Sequence, residues 1–195
     1  MSRLSIPTVE NAPEASKPLF AAVNKQLGVV PNLMKLVGHS PAALEGYLSL
    51  NGALAKGKLD AKLRERIALA VAEYNGCDYC LSAHDYLGRN VAKLNDSDID
   101  AARDGHATDA RTDAARDFHS EDPRAAAALR FARRVTELRG RVSDADLSTL
   151  RDAGFDEAST VEIVVNVALN VLTNYVNNVA QTDIDFPKVS AKLAA

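Results

Sequence analysis

The chain has no tryptophan, and aromatic residues make up only 5% of its 195 positions. Hydrophobic residues still account for 47% of the sequence, so the core has to be built from alanine, leucine, valine and isoleucine. Small aliphatic side chains of this kind favour close packing between helices. A chain of this length can bury one sizeable core, and we predict a single domain over residues 1–195.

The sequence also lacks an excess of positive charge. Its formal net charge is −3 and no basic patch stands out, so we do not expect nucleic acid as a partner. The N-terminus has no apolar signal core, and no run reaches transmembrane length. Asparagines interrupt the apolar stretch 161–179, which predicts a buried helix; they are Asn166, Asn170, Asn174, Asn177 and Asn178. We therefore expect a cytoplasmic protein with no membrane partner.

Alternating patterns typical of β-strands and hairpins are missing as well. Apolar residues instead recur at helical spacing between capping residues, prolines and glycines. The predicted helices cover approximately residues 13–28, 32–37, 41–57, 60–75, 78–92, 123–138, 143–154 and 157–181. Between residues 95 and 122, short surface helices and a mobile connection both fit the composition. The sequence as a whole predicts an all-α fold.

Reactive chemistry is concentrated around the two cysteines of the chain, Cys77 and Cys80. If a helix begins near Cys77, then Cys77, Cys80 and His84 lie at positions i, i+3 and i+7 on one helical face. A cysteine near a helix N-terminus has a lowered pKa, because free N–H groups and the helix dipole favour an anion. His84 could exchange a proton with a thiol or a leaving group. This pattern predicts thiol redox chemistry.

Glu65 is a fourth candidate, on the helix that precedes the cysteines. Its neighbours at helical spacing are apolar, which predicts a carboxylate that points into the interior and accepts a proton. Its place between Arg64 and Arg66 fits an ordinary surface charge equally well. Periodicity leaves both interpretations open. Glu73 is open in a similar way, since it could orient the turn at Gly76 or be exposed.

A non-enzymatic zinc-binding or redox-sensing module is the main alternative, because Cys77, Cys80 and His84 supply three suitable ligands. A structural zinc site needs a fourth ligand, and the chain has no second paired ligand motif. The remaining histidines fit loop or surface positions more simply; they are His39, His106 and His119. We therefore predict no metal at the site. An inactive helical scaffold, in which the cysteines never pair, is a third hypothesis.

The spacing Glu65-x11-Cys77-x2-Cys80-x3-His84 resembles the motif of the alkylhydroperoxidase D-like proteins, in the peroxidase-related branch of the carboxymuconolactone decarboxylase superfamily. Residues 174–180 and the Asp-Phe-Pro sequence at 185–187 resemble the tail of peroxidase-related members. The resemblance extends from about residue 13 to residue 187. It implies an all-α helical bundle with duplicated helical units, assembled as a homo-oligomer, either a trimer or a hexamer.

The resemblance also implies an activity. It suggests a thiol peroxidase for antioxidant defence, which reduces organic hydroperoxides through a Cys77/Cys80 dithiol–disulfide cycle and uses no cofactor. Peroxide would attack Cys80, Cys77 would resolve the sulfenic acid, and Glu65 and His84 would form the proton relay. A dithiol reductant, such as a dihydrolipoyl or thioredoxin-like carrier, would restore the thiols.

The chain departs from the family pattern in two places. Tyr79 stands where well-studied members have a histidine, and it could donate a hydrogen bond or only pack. Residues 109–121 look like an insertion. The helix dipole favours Cys77 as the more acidic thiol, whereas the resemblance assigns the first attack to Cys80. The sequence leaves the order of the two cysteines open.

Overall fold

The computed structural model describes residues 2–104 and 122–192, and within them the chain forms helices and no strands. This confirms the predicted all-α fold. The described α-helices are α1 Lys17–Leu27, α2 Asn32–Val37, α3 Pro41–Leu54, α4 Ala61–Tyr74, α5 Asp78–Leu87, α6 Asp96–Asp104, α7 Pro123–Glu137, α8 Asp144–Asp152 and α9 Glu157–Ala180. A 3-10 turn at Glu14–Ser16 precedes α1, and a π-helical turn at Gly88–Ala92 follows α5. The predicted insertion at 109–121 and the histidines His106 and His119 lie outside the described residues.

Local capping explains why most predicted helix starts are confirmed. A side-chain oxygen accepts a hydrogen bond from a backbone N–H of the first turn at five starts: Ser40, Asp60, Asp122, Ser143 and Asp156. At the start of α8, Ser143 and Asp146 form a full capping box. Proline occupies the first position of α3 and α7, where its missing N–H costs no hydrogen bond and its fixed φ suits a helix. These interactions are local, so the sequence alone reveals them.

The helix α4 is the centre of the bundle and packs against α5, α6, α7 and α9. All of its residues from position 66 to position 73 are buried. Ile67, Leu69 and Ala72 have no exposed surface. Because alanines at 68, 70 and 72 are small, neighbouring helices approach this helix closely from several sides. A side chain on α4 is therefore held by packing on most of its circumference.

The segment left undecided at 95–122 begins with the helix α6, which Ile99 and Ala102 anchor in the core. Arg66 on α4 forms an ion pair with Asp98 of α6 and a second one with Asp122, at 3.5 Å. These contacts join residues far apart in sequence. They explain why composition alone did not establish this helix.

The helix α9 is, among the described residues, the one helix long and apolar enough to cross a membrane. It packs against α3, α4, α5 and α7, and four of its asparagines are at most 7% exposed: Asn166, Asn170, Asn174 and Asn177. It is thus a core helix of the bundle, as the asparagine pattern predicts. Glu162 near its start accepts hydrogen bonds from the backbone N–H groups of Lys58 and Leu59, which fixes α9 against the turn before α4.

The tail that follows α9 crosses α5 and ends near α6. Ser82 donates to the carbonyl of Val189 and accepts from its N–H at 2.9 Å. The interpretation of Glu73 as an exposed charge was wrong, because its side chain is fully buried and pairs with Arg103 of α6 at 2.7 Å. Its other oxygen accepts from the backbone N–H of Lys192. Glu73 therefore joins α4, α6 and the tail, since a buried carboxylate needs such partners.

Candidate active site

The four predicted site residues are brought together by the turn between α4 and α5. Gly76 adopts a φ of +60°, a left-handed conformation that glycine reaches at little cost. The backbone N–H of Cys77 donates to the carbonyl of Ala72 at 3.0 Å, which closes the turn. The two helices therefore run back along each other. Glu65 before the turn and His84 after it come into contact although they are 19 positions apart.

The two cysteines are in direct contact and are free thiols. Cys77 Sγ lies 2.7 Å from Cys80 Sγ and donates its proton to it. Cys77 is the N-cap of α5, so its sulfur also accepts the backbone N–H of Cys80 at 3.3 Å. The two residues are 0% and 2% exposed, respectively. The pair is a buried dithiol positioned for disulfide formation.

The environment of the pair favours Cys80 as the thiolate. Burial raises the pKa of the Cys80 thiol, but the hydrogen bond from Cys77, the charge of His84 and the amide of Asn177 together lower it to about 7. The pKa of Cys77 is raised, because its proton is shared with Cys80 and because it is buried. The dipole argument for Cys77 is thus reversed. The proton that Cys77 donates to its neighbour outweighs the benefit of the helix N-terminus.

Two asparagines of α9 complete the surroundings of Cys80. Asn177 Nδ2 donates to Cys80 Sγ at 3.3 Å, and the residue is 3% exposed. The amide of Asn174 also lowers the pKa of Cys80, although its Nδ2 makes no hydrogen bond of ordinary geometry. Asn75 holds Asn174 through a hydrogen bond of 2.8 Å to its Oδ1. The sequence interpretation took these asparagines as interruptions of an apolar stretch and as part of a family-like tail, and it missed the contact of Asn177 with sulfur.

His84 and Glu65 form the other side of the site. His84 Nδ1 lies 2.8 Å from Glu65 Oε2, and both side chains are 22% exposed. Burial lowers the pKa of His84, but the charge and hydrogen bond of Glu65 and the charge of Cys80 raise it overall. Glu65 is therefore neither fully interior nor an ordinary surface charge. It is half-buried and favours the protonated form of the imidazole, whose pKa it raises.

Tyr47 of α3 is a second residue that the sequence interpretation missed. Burial, followed by the negative charges of Cys80 and Glu65, raises the pKa of its phenol. The hydroxyl therefore stays protonated next to both groups. No local sequence signal marks it, because it belongs to the apolar stripe that α3 presents to the core.

Tyr79 lies between the cysteines in sequence, but its hydroxyl faces away from them. It donates to Asp185 Oδ1 at 2.8 Å and accepts the backbone N–H of Leu33 at 3.0 Å. Its ring packs edge-on against Phe186, with 5.9 Å between ring centroids. Both interpretations of Tyr79 are thus partly right, since it packs and donates. Its hydrogen bonds connect α2 and the tail to α5, and its hydroxyl does not bond to the sulfurs.

Metal binding finds no support in the described part of the chain, where no group of three His, Cys, Asp or Glu side chains is arranged to hold an ion. Cys77, Cys80 and His84 are not such a group, and His84 Nδ1 faces Glu65. His39 bonds to the backbone carbonyl of Ser5 at 2.7 Å, far from the cysteines in sequence. The zinc alternative therefore lacks a ligand set within these residues.

Comparisons with known proteins point to one group. Residues 41–137, which include all four predicted site residues, match the model of the carboxymuconolactone decarboxylase family. A solved structure described as an alkylhydroperoxidase AhpD core, a peroxidase-related protein from Ralstonia eutropha JMP134, is 25% identical. It superposes with a TM-score of 0.79 and covers 94% of this chain and 92% of its own.

Other solved structures share the fold at lower identity. A peroxidase-related protein from Silicibacter sp. TM1040 is 23% identical with a TM-score of 0.74, over 93% of this chain and 91% of its own. The debrominase Bmp8 is 21% identical with a TM-score of 0.71, over 94% of this chain and 91% of its own.

A sequence relative matches only part of the chain. This protein of Haemophilus influenzae is 53% identical over 45 residues, which are 23% of this chain and 40% of that relative.

Proposed function

Because this chain belongs to the carboxymuconolactone decarboxylase superfamily, in its AhpD-like, peroxidase-related branch, we propose that it is a thiol peroxidase that reduces organic hydroperoxides. The observation that carries the proposal is the buried Cys77–Cys80 contact of 2.7 Å, with Cys80 as the more acidic thiol. A nucleophilic thiolate and a resolving thiol within reach are the two groups that such a cycle needs. Antioxidant defence is the role that follows from it.

The first step uses Cys80 as the nucleophile. Its thiolate attacks the terminal oxygen of the hydroperoxide, the O–O bond breaks, and Cys80 becomes a sulfenic acid. The leaving alkoxide takes a proton from His84 and departs as an alcohol. Glu65, 2.8 Å from His84 Nδ1, stabilises the protonated imidazole before this transfer. Asn177 stabilises the thiolate through its N–H···S contact.

The second step uses Cys77 as the resolving thiol. Its sulfur attacks the Cys80 sulfenic acid, an S–S bond forms, and hydroxide leaves with the Cys77 proton as water. In the resting site the hydrogen bond to Cys80, burial and the negative charge of Cys80 raise the pKa of Cys77. Conversion of the thiolate to a neutral sulfenic acid removes that charge. Cys77 therefore becomes more acidic once it is needed, which orders the two steps.

The cycle closes when a dithiol reductant reduces the Cys77–Cys80 disulfide. A dihydrolipoyl or thioredoxin-like carrier supplies two electrons and two protons and becomes a disulfide itself. On the protein and on the reductant, every redox change takes place on sulfur, and the hydroperoxide is the oxidant, so the proposal calls for no cofactor. A cytoplasmic location suits this requirement, because dithiol carriers are kept reduced there.

We propose further that the protein acts as a homo-oligomer, a trimer or a hexamer. Five apolar side chains of α9 lie on one narrow stripe at helical spacing and are 38–66% exposed; they are Val161, Val164, Leu172, Tyr175 and Val179. An exposed stripe of this length is costly in water and is typical of a subunit interface. Light scattering after gel filtration measures the subunit number, and a monomer at micromolar concentration would contradict this part.

Peroxide turnover with several dithiol donors tests the activity. Wild-type protein should consume an alkyl hydroperoxide with at least one donor, since a single-donor assay could miss the physiological carrier. Cys80→Ser should abolish consumption. Cys77→Ser should form one sulfenic acid per chain, detectable as a dimedone adduct by mass spectrometry, without turnover. Equal consumption by the wild type and Cys80→Ser would overturn the proposal.

A further inference from the structure

Asn174 of α9 carries an amide donor that has no acceptor within the described residues. Its Nδ2 is buried and forms no hydrogen bond there, and the residue as a whole is 0% exposed. A buried N–H group without an acceptor costs free energy and is rare in a well-packed core. An acceptor that forms only during the reaction would satisfy this donor.

The direction of the Asn174 amide is fixed from the turn between α4 and α5. Asn75 Nδ2 donates to Asn174 Oδ1 at 2.8 Å. The backbone carbonyl of Asn75 accepts from Asn178 Nδ2 at 2.9 Å, which ties the turn itself to α9. Because Asn75 holds the oxygen of the Asn174 amide, the nitrogen points to the other side. The reverse orientation would bring two N–H donors together.

The sulfur of Cys80 is the reactive atom beside this nitrogen. Asn177, three positions further along α9, donates to Cys80 Sγ at 3.3 Å. Residues at positions i and i+3 share one face of a helix, so Asn174 lies on the face that meets the thiols. The Asn174 amide also lowers the pKa of Cys80, as expected of an N–H directed toward that sulfur. Asn174 is therefore next to the reacting atom and yet not bonded to it.

We propose that Asn174 Nδ2 binds the oxygen atom that Cys80 receives from the hydroperoxide, and that it speeds the displacement of this oxygen by Cys77; this rests on the proposed peroxidase cycle. The oxygen is attached covalently to Cys80 Sγ, so it needs no path from the protein surface to Asn174. The S–O bond carries an acceptor beyond the sulfur. The idle N–H of Asn174 then gains its partner.

The resolving step is where this hydrogen bond contributes most. Cys77 sulfur attacks Cys80 Sγ, an S–S bond forms, and the S–O bond breaks. The oxygen leaves with the electron pair of that bond as hydroxide and takes the Cys77 proton to become water. Its negative charge grows as the bond breaks, so the N–H···O bond strengthens toward the transition state. A donor fixed in place beforehand stabilises this charge with little reorganisation.

Rapid-quench kinetics separate the two chemical steps. One equivalent of an alkyl hydroperoxide oxidises Cys80, and mass spectrometry counts the alkylated thiol, the dimedone-trapped sulfenic acid and the disulfide over time. Asn174→Leu should slow the conversion of sulfenic acid to disulfide about 10- to 100-fold, the effect of losing one donor to a developing charge. Sulfenic acid should therefore accumulate. Oxidation of Cys80 should slow by a smaller factor than this conversion.

Asn170→Leu is the matched control, because it removes another buried amide of α9, one whose Nδ2 is bonded to the carbonyl of Asn166 at 2.8 Å. It should resolve the sulfenic acid like the wild type. Equal slowing in both variants, or none in Asn174→Leu, would overturn the proposal.

Asn75→Ala tests the direction of the amide on a half-buried residue, where a substitution disturbs the core less. It releases Asn174 Oδ1 and leaves the Asn174 side chain in place. The amide can then rotate, so the resolving step should slow by a smaller factor than in Asn174→Leu. A rate equal to that of the wild type would contradict a role for the oriented amide, including when Asn174→Leu fails to fold.

A crystal structure of oxidised Cys77→Ser locates the oxygen directly. Serine is a good N-cap and keeps the start of α5, while the missing thiol leaves the sulfenic acid unresolved. After a soak in hydrogen peroxide, the oxygen on Cys80 Sγ should lie about 2.7–3.2 Å from Asn174 Nδ2. An oxygen turned away from Asn174, or a Cys80 that carries none, would overturn the assignment. An oxygen at Asn174 in a protein that consumes no alkyl hydroperoxide with any dithiol donor would reject the peroxidase activity alone.

Discussion

His84 Nδ1 on α5 lies 2.8 Å from Glu65 Oε2 on α4, across the antiparallel pair of helices that Gly76 connects. The contact favours the cationic form of the imidazole near a thiol pair that is almost fully buried. A buried thiolate is costly without such a neighbour. The Glu65–His84 pair and the acidity of Cys80 are therefore two parts of one electrostatic arrangement.

Glu65→Gln should slow the oxidation of Cys80 by hydroperoxide about 10- to 100-fold, the range expected when a proton donor is weakened. The amide keeps a hydrogen bond but removes the charge that raises the pKa of His84, so less imidazolium is present at neutral pH. Rapid quench with alkylation measures the rate. Glu45→Gln, an exposed glutamate on α3, is the control and should react like the wild type.

Glu65→Gln should also change how the free energy of unfolding depends on pH. The pKa of His84 is raised in the folded protein, so the stabilisation is complete below the unfolded value near 6.5 and is lost as the pH rises through the folded pKa. Urea unfolding should therefore show a larger difference in the free energy of unfolding between wild type and Glu65→Gln at about pH 6 than at about pH 9. A difference that widens as the pH rises would contradict the positive charge assigned to His84.

The pH dependence of alkylation tests which cysteine is the thiolate. Iodoacetamide should modify Cys80 with a half-maximal rate near pH 7, because its pKa is lowered to about 7. Cys77 should react only at clearly higher pH, since its pKa is raised. His84→Gln removes a positive charge and should move the Cys80 midpoint upward. Peptide mass spectrometry locates the label.

His39→Gln is the matched control for this experiment. His39 bonds to the carbonyl of Ser5 and does not touch the thiols, so its replacement should leave the midpoint unchanged. A lower midpoint for Cys77 than for Cys80 would restore the helix-dipole argument. It would also contradict the proposed order of attack.

Local and long-range interactions explain what the sequence could and could not predict. Ser40, Asp60 and Ser143 cap helices through contacts within three residues, so their helix starts are visible in the sequence. Cys77, Cys80 and His84 share one helix, and their spacing alone places them on one face. The partner of Glu65 depended on how two helices pack. Periodicity therefore left its role open until the fold placed it against His84.

Asn177 and Tyr79 show the remaining limits. Asn177 reaches Cys80 from 97 positions away, and its helix position fits an ordinary buried amide equally well. Tyr79 stands next to the reactive cysteine in sequence, yet its hydroxyl bonds to Asp185 in the tail. Side-chain direction at both positions depends on distant segments. No spacing rule within one helix contains that information.

Asn177→Leu should raise the pKa of Cys80 and slow its alkylation at neutral pH, because the thiolate loses its N–H···S hydrogen bond. The expected loss of rate at about pH 7 is roughly fivefold to tenfold, the effect of one charge-assisted hydrogen bond. Asn166→Leu is the matched control on the same helix. Its Nδ2 donates to the carbonyl of Glu162 at 2.8 Å and does not contact sulfur.

The two asparagine variants separate stability from reactivity. Both remove a buried amide of α9, so both should lower the free energy of unfolding by about 1–2 kcal/mol. Only Asn177→Leu should move the midpoint of the Cys80 alkylation curve. If the two variants shift that midpoint equally, the effect comes from helix packing and the contact with sulfur is unimportant.

Tyr79→Phe should destabilise the protein by about 1–3 kcal/mol, because it removes one hydrogen bond to Asp185 and leaves the buried N–H of Leu33 without its acceptor. The ring contact with Phe186 remains. Urea unfolding measures the loss, and Tyr86→Phe, which keeps its own ring contact with Phe186 on an exposed side chain, is the control. The Cys80 alkylation midpoint should stay near that of the wild type, since the Tyr79 hydroxyl faces the tail. A midpoint that moves upward as far as in His84→Gln would instead make Tyr79 a member of the thiolate environment, in the place where related proteins have a histidine.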